Sequence, residues 1–160
     1  MSETQKDTKN DAQDQCGAMI NQQEQNNPQK IKHDERGTIV FRPLEAYFEE
    51  NKDLLKDMDP YCKFSIEFER GKSSIAYNQG MHPTWKDSIV LKVKGENFVK
   101  IKAKDKDRVS LDDRLGKAKI PLDEVLEKRK VTQWIPLYDR GKFTGKIHLE
   151  MEFFPKTLRS

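Results

Sequence analysis

The chain has 160 residues, 36% of them charged and 34% hydrophobic, and a formal net charge of +3 at pH 7. That length suits one domain, and no run approaches the roughly 18 apolar residues that a membrane-spanning helix needs. Two cysteines exclude a fold held by several disulfides, while the basic balance favours anionic partners.

Residues 1–36 hold eleven Gln or Asn and no Phe, Trp or Tyr. Such a segment buries too little apolar surface to offset chain entropy, so it is expected to be a disordered tail, with the folded domain over 37–160. Its start, MSETQKDTKNDAQDQ, has neither the apolar core of a secretory signal nor a glycine for myristoylation, and the closing KTLRS has no prenylation cysteine. A cytoplasmic location is therefore expected. The tail carries five Lys or Arg against seven Asp or Glu, which leaves 25 against 20 and a net +5 for the rest.

Beyond the tail, period-two alternation recurs, the mark of half-buried strands. Strands are expected over 38–48, 62–68, 73–79, 88–94, 99–103, 117–122, 132–137 and 146–153. The clearest rows are Cys62, Phe64, Ile66 and Phe68 against Lys63, Ser65 and Glu67, then Val99, Ile101 and Ala103 against Lys100, Lys102 and Lys104, and finally Ile147, Leu149, Met151 and Phe153 against Lys146, His148, Glu150 and Glu152. Pro43 removes a ladder donor, so the first strand should be an edge or carry a bulge. Breaks are expected at Arg70-Gly71-Lys72, Gly80–Pro83, Gly95–Asn97 and Asp139–Gly141, and Leu122–Lys128 reads as a short helical turn. Eight short strands with such turns indicate an all-β antiparallel sandwich or barrel.

Two groups of aspartates stand beside these strands: Asp53 and Asp59, then Asp105, Asp107 and Asp113. Aspartate is an ordinary turn residue, but a hard cation such as calcium takes roughly six to eight oxygen ligands, and two Asp-rich loops side by side would supply them. Asp105 and Asp107 continue the inward row Val99-Ile101-Ala103 past its strand. An EF-hand is excluded, because counting from Asp105 its fifth, sixth and twelfth positions hold Val109, Ser110 and Gly116.

The segments LLKDMDPYCKF, GMHPTWKDSIVLKV and KAKDKDRVSLDDRLGKAKIPL resemble, in order and spacing, three diagnostic stretches of the C2 domain. Asp53 precedes Asp59-Pro60-Tyr61 by six residues, and Asp107 precedes Asp113-Arg114-Leu115-Gly116 by six. Pro83-Thr84-Trp85-Lys86-Asp87 is similar to the family's Asn-Pro-x-Trp-Asn-Glu loop, with His82 in place of the usual Asn. The opening and closing strands resemble the type II permutation, so the resemblance implies an eight-stranded antiparallel β-sandwich of C2 type II topology.

The resemblance further implies calcium (Ca2+) as cofactor, bound by Asp53, Asp59, Asp105, Asp107 and Asp113. It implies an anionic phospholipid membrane surface as partner, met by Leu54, Leu55, Arg108, Val109 and Leu111 at the loop tips. A lysine-rich cluster for phosphoinositides is a further family feature. Here Lys63, Lys72, Lys92, Lys94, Lys100, Lys102 and Lys104 are its candidates, although edge strands also carry lysine to block aggregation. Asp57 and Asp112 fall out of register and read as solvated. The expected protein is a monomeric, peripheral, calcium-dependent membrane-binding module, with a calcium-indifferent scaffold for a protein partner as the alternative. No nucleic-acid signature accompanies the lysines. No enzyme is expected, since Cys62 lies in an apolar strand row and His82 and His148 have no evident partners.

Overall fold

The computed structural model describes residues 35–53 and 55–157. The expected tail therefore falls outside the described residues except for Glu35 and Arg36, and so does Leu54. Among these residues eight strands form: β1 (Arg36–Phe48), β2 (Pro60–Ile66), β3 (Glu69–Lys72), β4 (Ile89–Lys94), β5 (Phe98–Asp105), β6 (Asp113–Pro121), β7 (Lys130–Asp139) and β8 (Lys142–Pro155). Among the described residues one helix, α1 (Asp123–Lys128), joins β6 to β7 and buries Val125 and Leu126.

All neighbouring strands are antiparallel, in the order β3-β2-β5-β6-β7-β8-β1-β4. The β6–β7 junction holds by a single pair, Lys117 with Tyr138, so the sheet folds there into two four-stranded layers. Phe41 of β1 and Phe64 of β2 stack between the layers at 5.2 Å. The expected eight-stranded antiparallel sandwich is thus present. Its first and last strands pair side by side from Gly37 with Pro155 to Phe48 with Gly145.

Alternation built this fold because each strand has one apolar face to remove from water. Ile147, Leu149, Met151 and Phe153 are all buried, and Val99, Ile101 and Ala103 are fully so. Pro43 sits at a register shift between Pro43 and Glu45, the bulge that its missing N–H demands. Beyond it the free side of β1 is covered by a loop: Ala46 N–H donates to Pro83 O, Phe48 N–H to Met81 O, and Trp85 N–H to Leu44 O, at 2.9–3.0 Å.

Two strand expectations fail locally. Phe68 does not extend the buried row of β2; it is 95% exposed, because the chain turns at Glu67, whose φ is +45°. Arg70-Gly71-Lys72 consequently lies inside β3 and is no break. Residues 73–79 run beside β2 without forming a strand. The Ser73 hydroxyl accepts from Cys62 N–H at 2.9 Å, so a side chain replaces the backbone acceptor that a ladder requires.

Gly145 of β8 is the register partner of Phe48 of β1, and a Cβ there would collide with the Tyr47 backbone carbonyl and the Phe48 Cα. Gly145→Ala should therefore cost about 1–3 kcal/mol, the range for overpacking, read as a lowered denaturant midpoint with an unchanged slope.

Candidate cation-binding loops

The antiparallel order puts the end of β1, the start of β2, the end of β5 and the start of β6 at one end of the sandwich. Loops 49–59, 73–88 and 106–112 meet there. Asp105 is the register partner of both Pro60 and Asp113, so residues 59–60, 105 and 113 lie in one row across three strand ends. Asp59 is the point of closest contact. Its N–H donates to Asp105 Oδ1 at 2.8 Å, and its own Oδ1 accepts from Asn78 N–H at 2.7 Å. The Asp59 backbone carbonyl accepts from Lys106 N–H at 3.0 Å. Met58, fully buried, anchors the loop from below.

Burial is unusual for carboxylates here: Asp59 is 3% and Asp105 5% exposed. Burial pushes the Asp105 carboxyl above its ordinary range, the hydrogen bond from Asp59 N–H works against this, and the charges of Asp59, Asp53 and Asp113 push it further up. Asp105 therefore feels three of the other four predicted aspartates. Asp107 is differently disposed. The strand alternation runs as far as Asp105, where β5 ends, and Asp107 turns into its own loop, accepting from Ser110 Oγ at 2.6 Å and Val109 N–H at 3.0 Å. Those bonds hold its carboxyl down to about 2.

The residues fit a hard cation in kind, since Asp59, Asp105 and Asp113 of this row all carry carboxylates. A cationic group already uses part of the cluster: Lys56 Nζ lies 3.6 Å from Asp59 Oδ2 and 3.9 Å from Asp53 Oδ2. Among the described residues, no three His, Cys, Asp or Glu side chains are drawn together into a metal-holding set.

The remaining predicted residues take clear places. Leu55, Val109 and Leu111 are 97%, 97% and 90% exposed, and Arg108, next to Val109, is exposed as well. Leu54 lies outside the described residues. Asp57 is exposed, as expected, but Asp112 is not simply solvated. It accepts hydrogen bonds from the Tyr61 hydroxyl and from Asp107 N–H and pairs with Lys106 at 3.5 Å. The Tyr61 bond above all depresses its carboxyl, while burial first, and then Asp112, pushes the phenol up. Sequence spacing offered no sign of this brace, because it depends on the register of β2 against β5.

His82 and His148 both have partners. His82 stacks on Tyr47 at 4.0 Å and stands 3.5 Å from Glu45, and His148 stacks on Trp134 at 4.6 Å. Cys62 is fully buried, and burial pushes its thiol up, as an inert core cysteine requires.

Register also places the lysines. Lys72, Lys63, Lys102 and Lys117 stand directly opposite one another across β3, β2, β5 and β6, and Lys100 faces Lys119 one step away. No acidic residue interrupts either row. Directly opposed like charges weaken a sheet, and of these lysines Lys119 is offset by a contact of its own, its Nζ lying 4.4 Å from the centre of the Phe98 ring. Lys92 and Lys94 belong to the other layer, on β4.

A family model described as C2 domain matches residues 37–137. The "16 kDa phloem protein 2" of Arabidopsis thaliana is 31% identical over 78% of this chain and 86% of its own length. Among solved structures, a "C2 domain-containing protein from putative elicitor-responsive gene" superposes with a TM-score of 0.68 at 28% identity, covering 79% of this chain and 94% of that one. A calcium-bound structure of the paired C2 domains of Extended-Synaptotagmin 2 gives 0.62 at 26% identity over 74% of this chain and 46% of that one.

Proposed function

Because the chain belongs to the C2 domain family, a family of binding modules and not of enzymes, we propose that it is a calcium-dependent peripheral binder of anionic phospholipid surfaces. Asp53, Asp59, Asp105, Asp107 and Asp113 would hold the cation, and Leu54, Leu55, Arg108, Val109 and Leu111 would meet the lipid. The observation that carries this assignment is the meeting of Asp59, Asp105 and Asp113 across three strand ends, beside loop tips whose Leu55, Val109 and Leu111 are almost wholly exposed. Isolated exposed hydrophobes are ordinary; three on adjoining loop tips around a carboxylate cluster suit insertion below a headgroup layer.

Calcium, when bound, would supply the positive charge that these carboxylates need and coordination positions open to lipid phosphate oxygens. The chain's own contribution is geometric. The β5–β6 ladder fixes Asp105 against Asp113, the Asp112–Tyr61 brace fixes the root of the loop that carries Asp107, and the apolar tips are held outward. The folded layers beneath need not rearrange. Residues 1–36 are assigned no part in either contact, and the protein would be cytoplasmic, monomeric and membrane-associated only with calcium. Among the described residues no helix is long and apolar enough to cross a membrane. A calorimetric titration with calcium, with and without acidic vesicles, tests the assignment: binding that tightens in their presence supports it, and absence of heat in both arms refutes it.

The lysine rows add a second contact for anionic headgroups, and their directly opposed like charge supports that use. Each Lys near an anionic leaflet contributes about 1 kcal/mol. Changing Lys63, Lys72 and Lys102 to Gln should thus weaken binding to phosphoinositide-containing vesicles by about a hundredfold, with calcium affinity in solution unaltered.

A further inference from the structure

Lys56 stands apart from the other cations around the loops. Lys106 pairs with Asp112, Arg114 with Asp139, and Lys52 with Glu50, none of which is a predicted ligand. Lys56 instead reaches two predicted ligands at once, lying 3.6 Å from Asp59 and 3.9 Å from Asp53. Its backbone is held for this. Asn51 Nδ2 donates to Lys56 O at 3.4 Å, while Asn51 Oδ1 accepts from Asp53 N–H at 3.0 Å, so one side chain ties the lysine and its acidic partner into the same turn. The preceding residue, Leu55, is the 97% exposed loop tip.

We propose that Lys56 is a built-in counter-ion: its ammonium neutralises Asp53 and Asp59 in the metal-free protein, must be displaced when a divalent cation enters, and then meets the phosphates of the bilayer. This rests on the calcium assignment above and adds a regulatory element to it. The exchange sets the calcium threshold, since the cation competes with an ammonium already in place. It also couples the two contacts, because a lysine released beside Leu55 emerges at the membrane-facing tip. An ordinary surface ion pair would have only the first of these consequences, and a purely structural lysine neither.

Lys56→Met, which keeps the length of the side chain and removes the charge, therefore has effects of opposite sign. Calcium affinity in solution, by calorimetry, should tighten about three- to tenfold. Binding to vesicles of phosphatidylcholine and phosphatidylserine at saturating calcium should weaken about fivefold. In EGTA the variant should melt below wild type, because two carboxylates lose their neutralising partner. Lys56→Arg should resemble wild type in all three measurements. Wild-type calcium binding together with an unaltered or weakened affinity of K56M would overturn the counter-ion alone. If neither protein binds calcium, the calcium assignment fails and the displacement falls with it.

Discussion

Asp105→Asn should raise the melting temperature of the protein in EGTA and at the same time abolish the rise that millimolar calcium gives the wild type. Both effects come from one atom group. In the fold the Asp105 carboxyl is buried and faces Asp59, Asp53 and Asp113, so its ionised form is more costly there than in the unfolded chain. A carboxyl whose folded value is raised in this way costs stability at neutral pH, and the cost disappears as pH falls through that value. The advantage of the Asn variant should accordingly shrink on acidification. An amide oxygen can still accept from Asp59 N–H, so the hydrogen bond at 2.8 Å survives the change and the fold is not the thing being tested. For the wild type, a ligand at a hundredfold excess over its Kd adds about 2.7 kcal/mol, which corresponds to roughly 10 °C for a domain of this size. Melts followed by circular dichroism, in EGTA and in calcium across a pH series, measure all of this.

The second large effect concerns the loop tips. Changing Leu55, Val109 and Leu111 together to Ala removes apolar groups worth about 0.8 kcal/mol for each buried methylene, and even half-depth insertion puts the loss near 3 kcal/mol, or about a hundredfold in vesicle affinity. Stability and calcium affinity in solution should hardly move, because these side chains are almost wholly exposed in the free protein and none is a proposed ligand. Stopped-flow release from vesicles should show the loss mainly as faster dissociation, since removing contacts from one interface changes the off-rate far more than the on-rate.

The layers of this sandwich were legible because inward and outward residues alternate without interruption in β5 and β8, and the bulge at Pro43 was legible because a missing N–H has only a few remedies. What the chain conceals is whatever depends on pairing between distant strands. Four lysines scattered from 63 to 117 read as separate outward positions until register aligns them. Asp112 read as solvated because its partner, Tyr61, is 51 residues away. Phe68 shows the limit of alternation itself: the pattern continues on paper after the backbone has already turned at Glu67. The loops obey a third rule. Asp105 belongs to a strand and could be placed by counting, whereas the side chain of Asp107 follows the hydrogen bonds of its own turn, which no period encodes.

Co-sedimentation with vesicles tests the central claim most directly. The full chain is mixed with vesicles of phosphatidylcholine alone or with added phosphatidylserine, in millimolar calcium or in EGTA. The account predicts protein in the pellet only where calcium and phosphatidylserine are both present, and its return to the supernatant when EGTA is added. Protein that stays in the supernatant under every condition would contradict the account and leave a scaffold for a protein partner as the better description.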